Sequence, residues 1–234
     1  MTGRPGTTDP LERLLGSMFQ AHPWHGIASG PASPEVVTVY VEIVPTDTVK
    51  YELDKATGVL KVDRVQRSSS LCPTLYGFVP QTYCGAEVGA RCAERPPRRA
   101  GIAGDGDPLD ICVLTEKAIP KGGFLLRARP IGGLRLIDGE EADDKVVAVL
   151  EDDVAFGDLR ELADCPRGLL TRLEHYFLTY KQLPGAPPRA MEIAEAYDRA
   201  EAHEVIRRSE RDYRATFGAP EARLDELRRL LAGG

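Results

Sequence analysis

Three carboxylates fall within six residues in Asp105-Gly106-Asp107-Pro108-Leu109-Asp110. Gly106 and Pro108 shape a turn that keeps these acids together. An all-oxygen ligand set of this kind suits magnesium, which takes one or two carboxylates and completes its octahedron with waters and substrate phosphate oxygens. A second acidic segment runs from Asp138 through Glu140, Glu141, Asp143 and Asp144 to Lys145. Asp143 and Lys145 share a face if a strand begins there. Glu42, Lys50, Glu52 and Arg64 fall on the polar faces of earlier strands, so that two acidic loops and these side chains would line one cleft of mixed charge.

Other uses of such acids are weighed by their neighbours. An EF-hand loop is excluded, because Leu109 stands where an oxygen ligand is expected. A phosphatase with an aspartyl nucleophile wants an apolar strand running into the first Asp, whereas Gly101-Ile102-Ala103-Gly104 precedes it here. A metal-dependent phosphatase acting on nucleotides or phosphate esters stays open. The net charge of -6 and the 6% aromatic content argue against an oligonucleotide-binding barrel and against an anionic membrane surface. Neither excludes a small anionic substrate, because local cations can reverse the field in a cleft. Cys72, Cys84, Cys92, Cys112 and Cys165 form an odd set with no CxxC spacing, which points to free thiols. With no membrane-length apolar run and no secretory leader, a cytoplasmic location is expected.

The elements that position these residues can be read from periodicity. Asp9-Pro10-Leu11 reads as the start of a short helix to about Gln20, and residues 22–35 as a linker. Alternation at 36–44, 49–53 and 59–65 gives strands, continued at 109–114, 125–130, 134–137 and 146–150. Residues 84–104 read as a long loop or insertion. Leu169, Leu173, Tyr176, Phe177 and Tyr180 recur at helical spacing on a helix ended by Pro184 to Pro188. A charged helix is expected from about Met191 to Thr216, and a short one from Pro220. The fold class is mainly β with α (α+β), a small closed or nearly closed OB-like β-barrel flanked by helices. The expected parts are an N-terminal extension (1–35), a barrel domain (36–190) and a C-terminal helical extension (191–234).

DGDPLDICVL at 105–114 resembles the signature of soluble inorganic pyrophosphatases of family I. VEIVP at 41–45, KYELDKATGVLKVDR at 50–64, YGFVP at 76–80, RPIGGLRLIDGEEADDKVVAV at 129–149 and HYFLTYK at 175–181 match in the family's order. The resemblance implies hydrolysis of pyrophosphate to two phosphates with several Mg2+ ions, in a homo-oligomer that binds neither nucleic acid nor membrane. It implies Asp105, Asp110 and Asp143 as ligands of the tightest metal site, with Asp110 shared with a second ion. Asp138 and Asp143 look like ligands of a third. Asp107 resembles the general base. Lys50, Arg64, Lys145, Tyr180 and Lys181 look like phosphate-binding groups, and Tyr76 matches a site tyrosine. Glu42 and Glu52 sit where the family holds waters or supports neighbouring cations. Cys72 departs from the pattern, standing where the family often has a second tyrosine.

Overall fold

The computed structural model describes residues 18–66, 69–182, 185 and 190–232. Five strands close into a ring: β1 (Val37–Ile43), β4 (Leu75–Phe78), β6 (Asp110–Leu114), β9 (Lys145–Leu150) and β7 (Phe124–Asp138), with β7 pairing back onto β1. β2 (Val49–Leu53) and β3 (Leu60–Val65) form a separate two-stranded ribbon. Two short strands, β5 (Ala103–Gly104) and β8 (Glu141–Ala142), and a tenth, β10 (Met191–Asp198), extend the ring sheet at β7.

The side-chain period of two sorts residues onto opposite faces of this sheet. Ile111 and Val113 of β6, with Val146 and Ala148 of β9, join one apolar cluster. It is covered by Val88 and Cys92 of helix α1 (Ala86–Glu94) and by Ala202, Val205 and Ile206 of helix α3 (Arg199–Phe217). Cys112, Leu114, Val147 and Val149 point the other way, against Leu173, Tyr176 and Phe177 of helix α2 (Arg167–Thr179). Burial on both faces explains why these strands read as nearly continuous apolar runs. Helix α4 (Pro220–Ala232) follows α3.

Several expectations are corrected. Residues 84–104 are not an irregular insertion, since they hold α1 and β5. The N-cap of α1 is Gly85, which has no side chain to cap it; Asp212 of α3 does so instead, accepting from the N–H groups of Gly85, Glu87 and Val88 at 3.0–3.1 Å. The two strands expected at 125–130 and 134–137 are one bent strand, β7, with a register shift between Pro130 and Gly132. Met191 to Asp198 is a strand, so the piece expected as a helical extension opens with a strand of the main sheet. The helix begins only at Arg199, where Asp198 accepts from Glu201 N–H at 2.9 Å. Residues 22–35 are more than a linker, because Trp24 is buried with Tyr40, Leu53, Phe78 and Tyr213. α2 stops at Thr179, ahead of the prolines thought to end it. The helix expected from Asp9 lies outside the described residues apart from its last few positions, and Pro184, Pro187 and Pro188 lie outside them too.

Gly77 marks the tightest point of the ring. A Cβ there would lie 1.9 Å from the Tyr40 carbonyl oxygen on β1. That neighbour is backbone and cannot rotate away. Gly77→Ala is therefore expected to lower unfolding free energy by roughly 1–3 kcal/mol, measured by urea denaturation.

Candidate active site

β6 and β9 run parallel and in register, with Asp110 opposite Lys145. Parallel strands start at the same end of a sheet, so the turn entering β6 and the connection entering β9 lie side by side. The 105–110 turn is pinned from below by residues 79–84. Cys84 N–H donates to the Asp107 carbonyl (2.8 Å), Gly106 N–H to the Cys84 carbonyl (3.0 Å) and Leu109 N–H to Thr82 Oγ1 (2.9 Å). Gly106 has φ +75°, the left-handed conformation a turn glycine supplies without strain.

The acids of the two connections meet. Lys145 Nζ donates to both Asp110 and Asp143, and Asp105 hydrogen-bonds Asp143. Tyr76 donates its hydroxyl to Asp110. Burial, and then the neighbouring Asp143 and Asp110 charges, push the Asp105 carboxyl up to about 8. Burial also raises Asp110, against the pull of Lys145. For Asp143 burial acts upward too, but the Lys145 and Lys181 charges and the hydrogen bonds from Lys145 and Asp105 together hold the carboxyl below its usual range. Lys145 is itself buried, which favours the neutral amine, yet Asp110 and Asp143 keep it charged far above the ordinary lysine range.

A cleft of roughly 250 Å³ opens over these groups. Every residue predicted for the site lines it except Glu42 and Glu52, which line a smaller cavity that shares Lys50, Tyr76, Asp107 and Asp110 with the cleft. Lys181 Nζ donates to Asp138 at 2.8 Å, and Lys50 Nζ to Glu52 at 2.9 Å. Arg64 lies over the Tyr180 ring at 5.2 Å, and its buried Nη2 finds no hydrogen-bond partner among the described residues. An orphaned guanidinium nitrogen on a residue that lines the cleft with Lys50, Tyr180 and Lys181 suits a phosphate oxygen. Glu42 accepts from Leu53 N–H at 2.7 Å, while burial and then Asp110 push its carboxyl up to about 8.

Among the described residues, no three or more carboxylate, imidazole or thiol side chains are gathered tightly enough to hold a metal by themselves. The donor set nonetheless fits a hard divalent cation. Its atoms are carboxylate oxygens, and Mg2+ needs only one or two of them alongside waters and substrate oxygens. The Lys145 ammonium already rests between Asp110 and Asp143, so the pocket is built to accept positive charge. At the departure from the family pattern, Cys72 is buried and hydrogen-bonds both Thr74 and Tyr176, which places a hydroxyl beside the thiol.

Sequence reasoning missed four groups. Glu141 also lines the cleft, and Lys55 reaches Asp107 from the β2–β3 turn. Both lay inside matched segments, but spacing alone carried no sign of their direction. Trp24 lines the smaller cavity from a stretch that read as linker. Arg135, only 1% exposed, is held by Glu195 and Glu201 and lies 3.6 Å from Asp144, behind the second acidic connection. Its glutamate partners lie some sixty residues away in sequence, beyond the reach of any local pattern.

The chain is similar to known proteins over most of its length. The family profile described as inorganic pyrophosphatase matches residues 39–214. The inorganic pyrophosphatase of Chlamydia trachomatis serovar D is 51% identical over 197 residues, covering 82% of this chain and 94% of the relative. The soluble inorganic pyrophosphatase of Oryza sativa subsp. japonica is 42% identical over 175 residues, covering 73% and 72%. Among solved structures, the type I inorganic pyrophosphatase of Toxoplasma gondii superposes with a TM-score of 0.72 at 27% identity, covering 86% of this chain and 91% of that one. The Thermus thermophilus enzyme gives 0.69 at 28% identity, covering 82% and 99%.

The raised Glu42 carboxyl has a consequence for stability. In the metal-free folded protein it keeps its proton to about pH 8, whereas the unfolded chain releases it near the ordinary value of 4.5. The stability this contributes is full below the lower value and is lost as pH rises toward the upper one. Glu42→Gln removes that dependence. The variant should gain on wild type between pH 5 and pH 8 in urea unfolding; a difference that stays constant with pH would refute the assignment.

Proposed function

Because this chain belongs to the inorganic pyrophosphatase family and hydrolyses pyrophosphate to two orthophosphates, we propose that the cleft between the 105–110 turn and the 138–145 connection carries out that reaction. The carrying observation is the meeting of acids from two separate connections in one cleft with Arg64, whose buried Nη2 has no partner among the described residues. Pyrophosphate carries several negative charges that repel an attacking oxygen, so most of the catalytic work is neutralisation and positioning. Asp105, Asp110 and Asp143 would hold Mg2+, with Asp110 shared between two ions, and Asp138 and Asp143 would take a third that enters with substrate. Bound there, the metal supplies charge neutralisation and makes a water acidic enough to react near neutral pH.

The chain's own groups do the rest. Asp107 has a half-exposed side chain at the rim of the cleft, reachable by the attacking water, and acts as general base toward it. Arg64, Tyr180 and Lys181 bind the leaving phosphate, the guanidinium offering a planar two-pronged contact that an ammonium cannot copy. Lys50 and Lys145 hold the phosphate under attack. Tyr76, tied to Asp110, fixes the orientation of that carboxylate. Glu42 and Glu52 support waters and the neighbouring cations. Groups aimed at transition-state charge are typically worth about 2.7–4 kcal/mol each. The protein would work in the cytoplasm, in keeping with its free cysteines, and as a homo-oligomer of the kind its family forms.

Asp110→Asn is expected to remove nearly all phosphate release from pyrophosphate while circular dichroism stays that of the folded protein. Chelation should abolish wild-type activity and added magnesium restore it. Turnover near the wild-type rate in the variant, or in thoroughly metal-stripped protein, would sink the proposal.

A further inference from the structure

Lys55 sits in the turn at 54–58 between β2 and β3 and donates from Nζ to the Asp107 carboxylate. The turn is tightened locally, since Asp54 Oδ1 accepts from the Thr57 N–H (3.0 Å) and hydroxyl (2.8 Å). Its outer side is held by the N-terminal segment. The N–H groups of Trp24 and His25 point at His22 Nδ1 (3.2 and 3.3 Å), which fixes the ring proton on Nε2. That nitrogen lies 3.2 Å from the Lys55 carbonyl and donates to it. Gly58, at φ +72°, closes the contact, because a Cβ there would lie 2.8 Å from the His22 ring.

The same segment also holds the residues that support the turn carrying Asp107. Trp24 Nε1–H donates to the Thr82 carbonyl at 2.7 Å, and the Trp24 carbonyl accepts from Gln81 N–H at 2.9 Å. Thr82 in turn receives Leu109 N–H, inside the acidic turn. The segment is itself clasped by the C-terminal part of the chain. His25 Nδ1 lies 2.8 Å from the Tyr213 hydroxyl, Phe217 packs edge-on to Trp24, and Arg223 donates to the His25 carbonyl at 3.2 Å.

We infer that residues 22–26 form a brace that positions Asp107 by two routes, through His22 and Lys55 on one and through Trp24 and Thr82 on the other. The brace lies before the span that matches the family profile, and Arg223 lies beyond it. It therefore adds a control on the reaction from sequence outside that span. Lys55 is a positioning residue, since it acts on the carboxylate and not on substrate. The inference rests on the reading of Asp107 as general base.

Its test compares Lys55→Met, which removes the ammonium at similar length, with Lys55→Arg, Trp24→Phe and Asp107→Asn. Each is measured for kcat and KM on pyrophosphate, for Mg2+ affinity by calorimetry, and for melting temperature. Lys55→Met should lower kcat about tenfold, with KM and Mg2+ affinity unchanged, as expected for a misplaced reacting group. Lys55→Arg should recover most of that loss. Trp24→Phe keeps the buried ring and loses the Nε1–H bond; it should lower kcat about threefold with melting within about 3 °C of wild type. If Lys55 acts through Asp107, the Lys55→Met/Asp107→Asn double variant is no slower than Asp107→Asn alone. Wild-type kcat in Lys55→Met beside an inactive Asp107→Asn overturns the brace alone. A loss carried by KM or Mg2+ affinity, or further slowing in the double variant, overturns it in favour of direct binding. Full activity in Asp107→Asn removes the general-base reading and the brace with it.

Discussion

The structure depends on the parallel, in-register pairing of β6 with β9. It sets Asp110 opposite Lys145 and makes two connections far apart in sequence arrive at the same end of the sheet. A slip of one residue would turn each of these side chains to the opposite face, because neighbouring positions on a strand point opposite ways. The apolar residues fix the register. Ile111 with Val146 and Cys112 with Val147 are paired, and each pair belongs to a different buried cluster. Packing on both faces thus determines where the charges fall.

That placement gathers several carboxyl groups around one ammonium in a partly dry site. Burial and mutual repulsion drive Asp105 and Asp110 toward the protonated form, while Lys145 and Lys181 help keep Asp143 ionised. Crowded carboxyls that cannot all ionise at low energy are poised to exchange protons for multivalent cations. The other wall carries the opposite field, where Arg64 and Lys181 flank the ring of Tyr180.

Much of this was legible in the residues. The DGDPLD turn, the second acidic segment, Lys50 and Arg64 pointed to one cleft, whereas Glu42 and Glu52, expected there too, line the smaller cavity; strand alternation foretold the closed ring. What escaped depended on partners remote in sequence. α1 starts at a glycine and takes its cap from Asp212, so nothing local announces it. Met191 to Asp198 is rich in Glu and Ala and suits a helix, yet it pairs along β7 from Asp138 to Gly132 and places Glu195 against Arg135. One local cue was overlooked there, since Asp198 followed by Glu201 is a helix-start pattern. The site residues missed, Lys55 and Trp24, are set by how the ribbon and the N-terminal segment fold over the ring, which periodicity does not encode.

The strand β7 reaches its last antiparallel neighbour, β10, only near the end of the chain, and Arg135 within it is neutralised by Glu195 and Glu201. A buried guanidinium without its acids is strongly unfavourable. Of its acids only Asp144 is encoded nearby, so the interior around Arg135 is fully neutralised only when Glu195 and Glu201 dock against β7. The second acidic connection, although encoded earlier, is thus backed by side chains from the last quarter of the described chain.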